Sequence, residues 1–508
     1  MAEVSFAQPV PVEERIPESA KFDKLSSGSV IRGRRTVKYV PSTGSTVSSA
    51  GGSQIITFRI SDSNAFLDGL STYLTFTATI PQLTVSGGSG GVVQDDMAIS
   101  FFNRVKTEVN SVACDDIVNN DSLQHALVYL LGDKHAYCQD LGLQAGSWKW
   151  NDENYGVADQ TTAVLGAAAA AVNASYFAEG STNAVQRRGQ VYYRTLYNAD
   201  GSATANGAQK VQFAIPLSYL GASLCKQTSF IPLRNLGVFT INLYTNTAAR
   251  ALRCGAASDA VLGNTIDLTA ATGAQAVSFT LSNLAIIGQV IDMDPRYLEI
   301  TDRVATTSEQ GLVMPLETFT NLQNSYTAAA TATDRTLTFS KASTSLRNMY
   351  LVRQPSAWRE SPAYCGITGF PFMGCAGFRV QINSLYIPEY GLAESSTEQY
   401  NLARQAHALL GNQDAIGNIR ADAYTQVASA NSDINGQHVL AVGFDRSTSE
   451  YLSLDGLNSV SSGGTITVYL RDAGSVDAGG AGQPITVNAW VEFTRFLQLR
   501  MNQVSIVG

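Results

Sequence analysis

Residues 234–246 read RNLGVFTINLYTN, and residues 463–474 read GGTITVYLRDAG. Each holds one short alternating run that ends in a polar turn. In the first, Phe239, Ile241 and Leu243 alternate with Val238, Thr240 and Asn242. Period-two alternation marks a strand with one face toward a core and the other toward solvent. Two such strands, more than 200 residues apart, raise the question of whether one domain occurs twice.

The flanking sequence points to a repeat. LSTYLTFTATIP in the first half has its counterpart in LRNMYLVRQP, and FNRVKTEV has its counterpart in FRVQINSL. Phe76 then matches Leu351 and Val105 matches Val380, both at an offset of 275. Later matches fall at smaller offsets, 228 for Phe239 with Thr467 and 208 for Phe279 with Val487. The first copy therefore carries extra sequence before its late strands. Residues 140–190, rich in small residues with isolated Trp148 and Trp150, are the insertion and read as a loop tower.

Strand signals dominate both halves, as β-branched and aromatic runs between turn residues. The first set is 53–60, 71–80, 101–109, 190–197, 210–217, 238–244 and 276–291. The second is 335–340, 348–354, 378–388, 438–444, 465–471 and 485–500. Helical spacing appears in 121–133 and 395–411, and Ser395 with Glu398 fits a capping box. A repeat of this length is a duplicated domain, because solenoid units are far shorter. About eight strands per copy is the strand count of a jelly roll, two antiparallel sheets packed face to face. The expected fold is all-β: two tandem eight-stranded antiparallel jelly rolls with short inserted helices. The expected division is an N-terminal arm over 1–50, a first roll over 51–295 and a second over 296–508.

Composition narrows the function classes. The chain has 508 residues, 44% of them hydrophobic and 15% charged, with a net charge of −8. An average soluble domain is about 25% charged. A surface poor in charge suits a protein that hides much of itself in assembly contacts. The negative balance argues against a chain that coats nucleic acid over its whole surface. The single basic run holds Arg32, Arg34, Arg35 and Lys38, and reads either as a solvated tail or as an arm toward nucleic acid or an anionic membrane. The N-terminal stretch has no secretory character, so the six cysteines are expected to be reduced. Cys365 and Cys375 flank a short loop, where a late disulfide is conceivable.

Residues that could carry catalysis do not converge in sequence. The four histidines are His125, His135, His407 and His438, and His125 and His407 lie at matching places on the two helical segments. Asp133, His135 and Asp140 lack diagnostic metal spacing. The pairs Asp115/Asp116 and Asp292/Asp294 read as turn caps more readily than as glycosidase carboxylates. No nucleophile elbow, P-loop or dinucleotide fingerprint appears, and GGSGG (87–91) reads as a turn or loop. No enzymatic role, cofactor or metal is expected.

In order along the chain, several segments resemble the double jelly-roll major capsid proteins of polinton-like viruses, virophages, large DNA viruses and membrane-containing phages. They are VKYVPSTGSTVSSAGGSQIITFRI, FLDGLSTYLTFTATI, FNRVKTEVNSVACDDIVNNDSLQHAL, FAIPLSYLGASLCKQTSFIPLRNLGVFTINLYTN and FRVQINSLYIPEYGLAESSTEQYNLARQA. The fourth, with its twice-used Ile-Pro-Leu, is the most specific. The resemblance implies a homotrimeric, pseudo-hexagonal capsomer that tiles an icosahedral shell in the virion, made in the host cytoplasm or nucleus. It implies minor capsid and penton proteins as partners. It also implies an interior arm, with the basic run at Arg32–Lys38, near an inner membrane or the genome. A lectin-like surface β-sandwich that binds glycans is the alternative from the residues alone.

Overall fold

The computed structural model describes residues 31–80, 84–85, 88–94, 98–132, 209–256, 278–308, 311–360, 366–367, 369–407, 419, 424, 437–444, 456–460, 463–473, 482–500 and 503–507. The insertion at 140–190, the strand expected at 190–197, and His135, Cys365, Trp148 and Trp150 lie outside these residues.

The first half contains β1 (Ile31–Tyr39), β2 (Ile55–Ile60), β3 (Ala65–Ile80), β4 (Phe102–Val109), β5 (Val112–Ile117), β6 (Gln209–Pro216), β7 (Phe239–Thr245) and β8 (Thr280–Met293). The second contains β9 (Leu312–Thr327), β10 (Thr333–Ser340), β11 (Leu346–Pro355), β12 (Cys375–Ile382), β13 (Leu385–Ile387), β14 (Leu440–Gly443), β15 (Thr465–Asp472) and β16 (Pro484–Arg500). The first-half sheets run β1-β8-β3-β6 and β2-β7-β4-β5. The second-half sheets run β9-β16-β11-β14 and β10-β15-β12-β13. Adding eight to each first-half label gives the second-half order, and every pairing among these strands is antiparallel. This is one jelly roll, made twice.

Alternation builds each core. Phe239, Ile241 and Leu243 of β7 are buried, as are Ile466, Val468 and Leu470 of β15. In the first roll Phe76 meets Phe102 edge-on with ring centroids 5.5 Å apart, and Phe101 and Phe213 extend the cluster. The quoted strands follow glycines held at positive φ, Gly237 (74°) and Gly464 (70°). A β-carbon on Gly464 would lie 2.3 Å from the Ala342 backbone nitrogen, so this entry turn requires glycine.

Register sharpens the repeat. Val105 pairs with Leu243 and Val380 pairs with Val468. With Val105 equivalent to Val380, Leu243 is equivalent to Val468, an offset of 225. The expected match of Phe239 with Thr467 is therefore slipped by three residues. An odd slip exchanges the faces of a strand, and Phe239 is buried while Thr467 is half-exposed. The corrected register also aligns a surface pair. Arg104 opposes Tyr244 across β4 and β7, and Arg379 opposes Tyr469 across β12 and β15.

Three further departures have physical reasons. The basic run was expected in an arm, yet Ile31–Tyr39 is β1, an edge strand paired with β8, so the first roll's sheet begins before residue 51. GGSGG was expected as a turn or loop, yet Gly88–Gln94 pairs with Leu252–Ala256 and Thr84–Val85. Backbone pairing there overrides a composition that disfavours strands. Between the rolls lies a helix not expected from sequence, α2 (Pro295–Thr307), after α1 (Asn120–Gln124, continuing as a π-helical turn over His125–Leu130). Asp294 caps α2 by accepting from Arg296 N at 2.9 Å, and proline follows at the first helical position. α3 (Ser396–Ala406) carries the expected capping box of Ser395 and Glu398. A last strand, β17 (Gln503–Val507), folds back on β16.

Candidate functional site: the seam between the rolls

In an open sandwich the strands of a sheet bury one face. β11 and β16 bury both. Met349 and Leu351 with Val487, Ala489 and Val491 face the second roll's own core. Tyr350, Val352 and Trp490 point the other way and join a cluster continuous with the first roll's core. The first roll meets this sheet at β9, against which β5 and the Ser223–Lys226 turn pack. Burial of a Trp, a Tyr and a Val here makes the two rolls one unit, because aromatic side chains dominate such contacts.

Polar groups fix the angle between the rolls. Trp490 Nε1 donates to the carbonyl of Val118 at 3.3 Å. Asn119 sits in a left-handed conformation (φ 52°), which asparagine tolerates. Its amide donates to Asn321 Oδ1 at 3.2 Å and Asn488 Oδ1 at 3.4 Å, while Arg359 Nη2 donates to Asn119 Oδ1 at 2.9 Å. Thr247 Oγ1 donates to Glu360 Oε2 at 2.7 Å, and Gln227 donates to the carbonyl of Pro315. These seam residues were not singled out from sequence. The available signal was β16 itself, whose ITVNAWVEF run puts large side chains on both parities.

Beside the seam opens a cleft of about 790 Å³, lined by Leu70, Leu127, Tyr219, Phe319, Tyr350 and Glu492 among others. Burial raises the Glu492 carboxyl, whose Oε2 accepts from Asn348 Nδ2 at 2.6 Å. His407 lines the same cleft with Lys226, Glu317 and Arg347, and burial pushes its imidazole down to about 4. A histidine depressed in the folded state leaves the unfolded chain binding more protons between pH 6.5 and 4. Its stabilisation is complete above pH 6.5 and is lost as pH falls through that window. Acidification from pH 7 to 4 should therefore cost on the order of 2–3 kcal/mol through this group. Urea unfolding across that range should show a shallower decline for His407→Gln; parallel curves would refute the assignment.

The basic run holds ion pairs within the first roll. Arg32 meets Asp294 at 3.1 Å, and Arg35 pairs with Asp62 and lies 3.4 Å from Asp292. Arg34 and Lys38 are exposed and form no ion pair among the described residues. Asp115, Asp116 and three described thiols are held in the packing of the rolls. Asp115 is buried and accepts from Thr107 Oγ1 at 2.6 Å and Ser223 N at 3.0 Å. Asp116 accepts from Arg104 Nε and Nη2, each at 2.6 Å. Burial pushes the Cys114 and Cys225 thiols up to about 12 and raises that of Cys375, the opposite of an activated nucleophile. Cys375 is a free thiol. Among the described residues no group of three or more His, Cys, Asp or Glu could hold a metal, and no helix is long and apolar enough to cross a membrane.

Two equivalent rolls locked through a buried seam define a double jelly-roll protein. No family model and no curated protein matches the chain. Solved structures do. The Sputnik virophage structure by cryo-EM aligns with a TM-score of 0.56 at 12% identity, over 99% of this chain and 93% of that one. PBCV-1 VP54 fitted into a reconstruction of the virophage Sputnik aligns at 0.53 and 10%, over 96% and 99%. The Faustovirus major capsid protein aligns at 0.51 and 10%, over 97% and 94%. The chain has the fold of these solved structures along nearly its whole length.

Proposed function

We propose that the chain is a major capsid protein, a structural component of a virion shell without an enzymatic role of its own. The observation that carries this is the seam, which fixes two copies of one roll into a single rigid unit. A homotrimer of such units has six near-equivalent rolls around its axis, the outline that tiles a curved sheet without gaps. The near-full-length likeness to the Faustovirus capsid protein supports the same reading. Minor capsid and penton proteins would complete the shell at its vertices. The exposed Arg34 and Lys38 on β1 would be available to an anionic surface or genome. Negative-stain images of the purified chain test this: particles of three- or six-sided outline are expected. Small featureless monomers would turn attention to the glycan-binding sandwich.

A further inference from the structure

Two cations converge on one buried ring of the second roll, Phe493 of β16. Lys341, just after β10, has a fixed backbone. Its N donates to the carbonyl of Gly464 at 2.7 Å, in the entry turn that requires glycine, and Ser459 Oγ donates to its carbonyl at 3.0 Å. The side chain runs over the ring, with Nζ 3.8 Å from the centroid. Arg495 lies two residues beyond Phe493 on the same face of the strand, with Cζ 4.8 Å from the same centroid. The two distances bound the separation of the cations at 8.6 Å. Both side chains are half-exposed. Burial, and then repulsion from Arg495, push the Lys341 ammonium down to about 8, and no carboxylate acts on it. Neither cation belongs to an ion pair among the described residues. Directly opposite Phe493 on β9 stands Thr318, so the two side chains share a face. Thr318 is 2% exposed, and its Oγ1 has no hydrogen-bond partner among the described residues. A buried hydroxyl of that kind calls for a partner.

We propose that Lys341, Arg495 and Thr318 form a binding site for a small phosphate anion, free phosphate or a phosphomonoester. The chemistry of the three donors selects it. A guanidinium fork meets two phosphate oxygens with parallel N–H groups, and an ammonium takes a third as a point charge. The Thr318 hydroxyl donates to the same group. A doubly charged oxyanion also removes the repulsion between two cations that have no counter-charge of their own. The cations are recessed beside a buried ring, which suits a compact anion. A long polyanion is met by exposed rows of cations that follow its backbone.

Calorimetric titration of the full chain with inorganic phosphate at pH 7, where Lys341 is protonated, should show saturable binding. Lys341→Gln and Arg495→Gln should each weaken it about tenfold or more, the worth of one hydrogen bond to a charged group. A second measurement uses the wild type alone, so that a misfolded variant does not decide the matter. Phosphate should slow acetylation of Lys341 by a succinimidyl ester, read by mass spectrometry, and leave the exposed Lys38 unchanged. Equal binding by wild type and both variants, or acetylation of Lys341 at one rate with and without phosphate, would overturn the site. Capture of anionic vesicles or single-stranded DNA through these residues, with no binding of free phosphate, would overturn its assignment to a small anion.

Discussion

Replacing Trp490 by Ala is expected to lower the unfolding free energy by about 3–5 kcal/mol and to split one cooperative transition into two. Trp490 is fully buried on the seam face of β16, opposite Tyr350 on β11. Removal leaves a cavity against the first roll's core and orphans the Val118 carbonyl. A hole of that size costs transfer free energy together with the contacts of its lining. The second roll's own core, built from Val487, Ala489, Val491 and Leu351, keeps its packing. The variant should therefore uncouple the rolls before it unfolds either one. Calorimetry and urea titration check this. A single transition with a loss under about 1 kcal/mol would mean that Trp490 does not hold the seam.

The second large effect is expected at Asp121. Its carboxylate is fully buried and takes Arg250 Nε at 2.7 Å, Arg250 Nη2 at 2.9 Å and Asn246 Nδ2 at 2.8 Å. Arg250 is 2% exposed, so neither charge reaches water. Asp121→Ala leaves a buried guanidinium without its counter-charge, a loss of about 3–5 kcal/mol. It also affects the seam. Arg359, which donates to Asn119, is already depressed by burial and by repulsion from Arg250, and Asp121 offsets that repulsion. The double variant Asp121→Ala with Arg250→Met should recover part of the loss, since no charge is then stranded. A double variant as unstable as the sum of the singles would show that the pair is not coupled.

Most of the architecture was legible because β7 and β15 are half-buried strands whose alternation a reader can count. The helix α3 was legible for a similar reason, since Ser395 and Glu398 cap each other locally. What sequence concealed depends on partners far along the chain. β1 is basic and largely exposed, and only its pairing with β8 makes it a strand. Gly88–Gln94 has three glycines among its first four residues, which leaves little there to pattern. The slip between Phe239 and Thr467 arose because two alternating strands match at several shifts, and only the ladders to Val105 and Val380 choose among them. Of the basic site residues, sequence could name Arg32 and Arg35 but not Asp294, Asp292 and Asp62 as their counter-ions. The seam was hidden for the same reason. Asn119 looks like a turn residue until Asn321, Asn488 and Arg359 converge on it.

The most direct test of the assembly reading is the mass of the purified wild-type chain, by light scattering behind a sizing column at physiological salt. A trimer of the 54.1 kDa chain has a mass of about 162 kDa, and that value is expected across a tenfold range of concentration. A steady 54 kDa, indifferent to concentration, would contradict it.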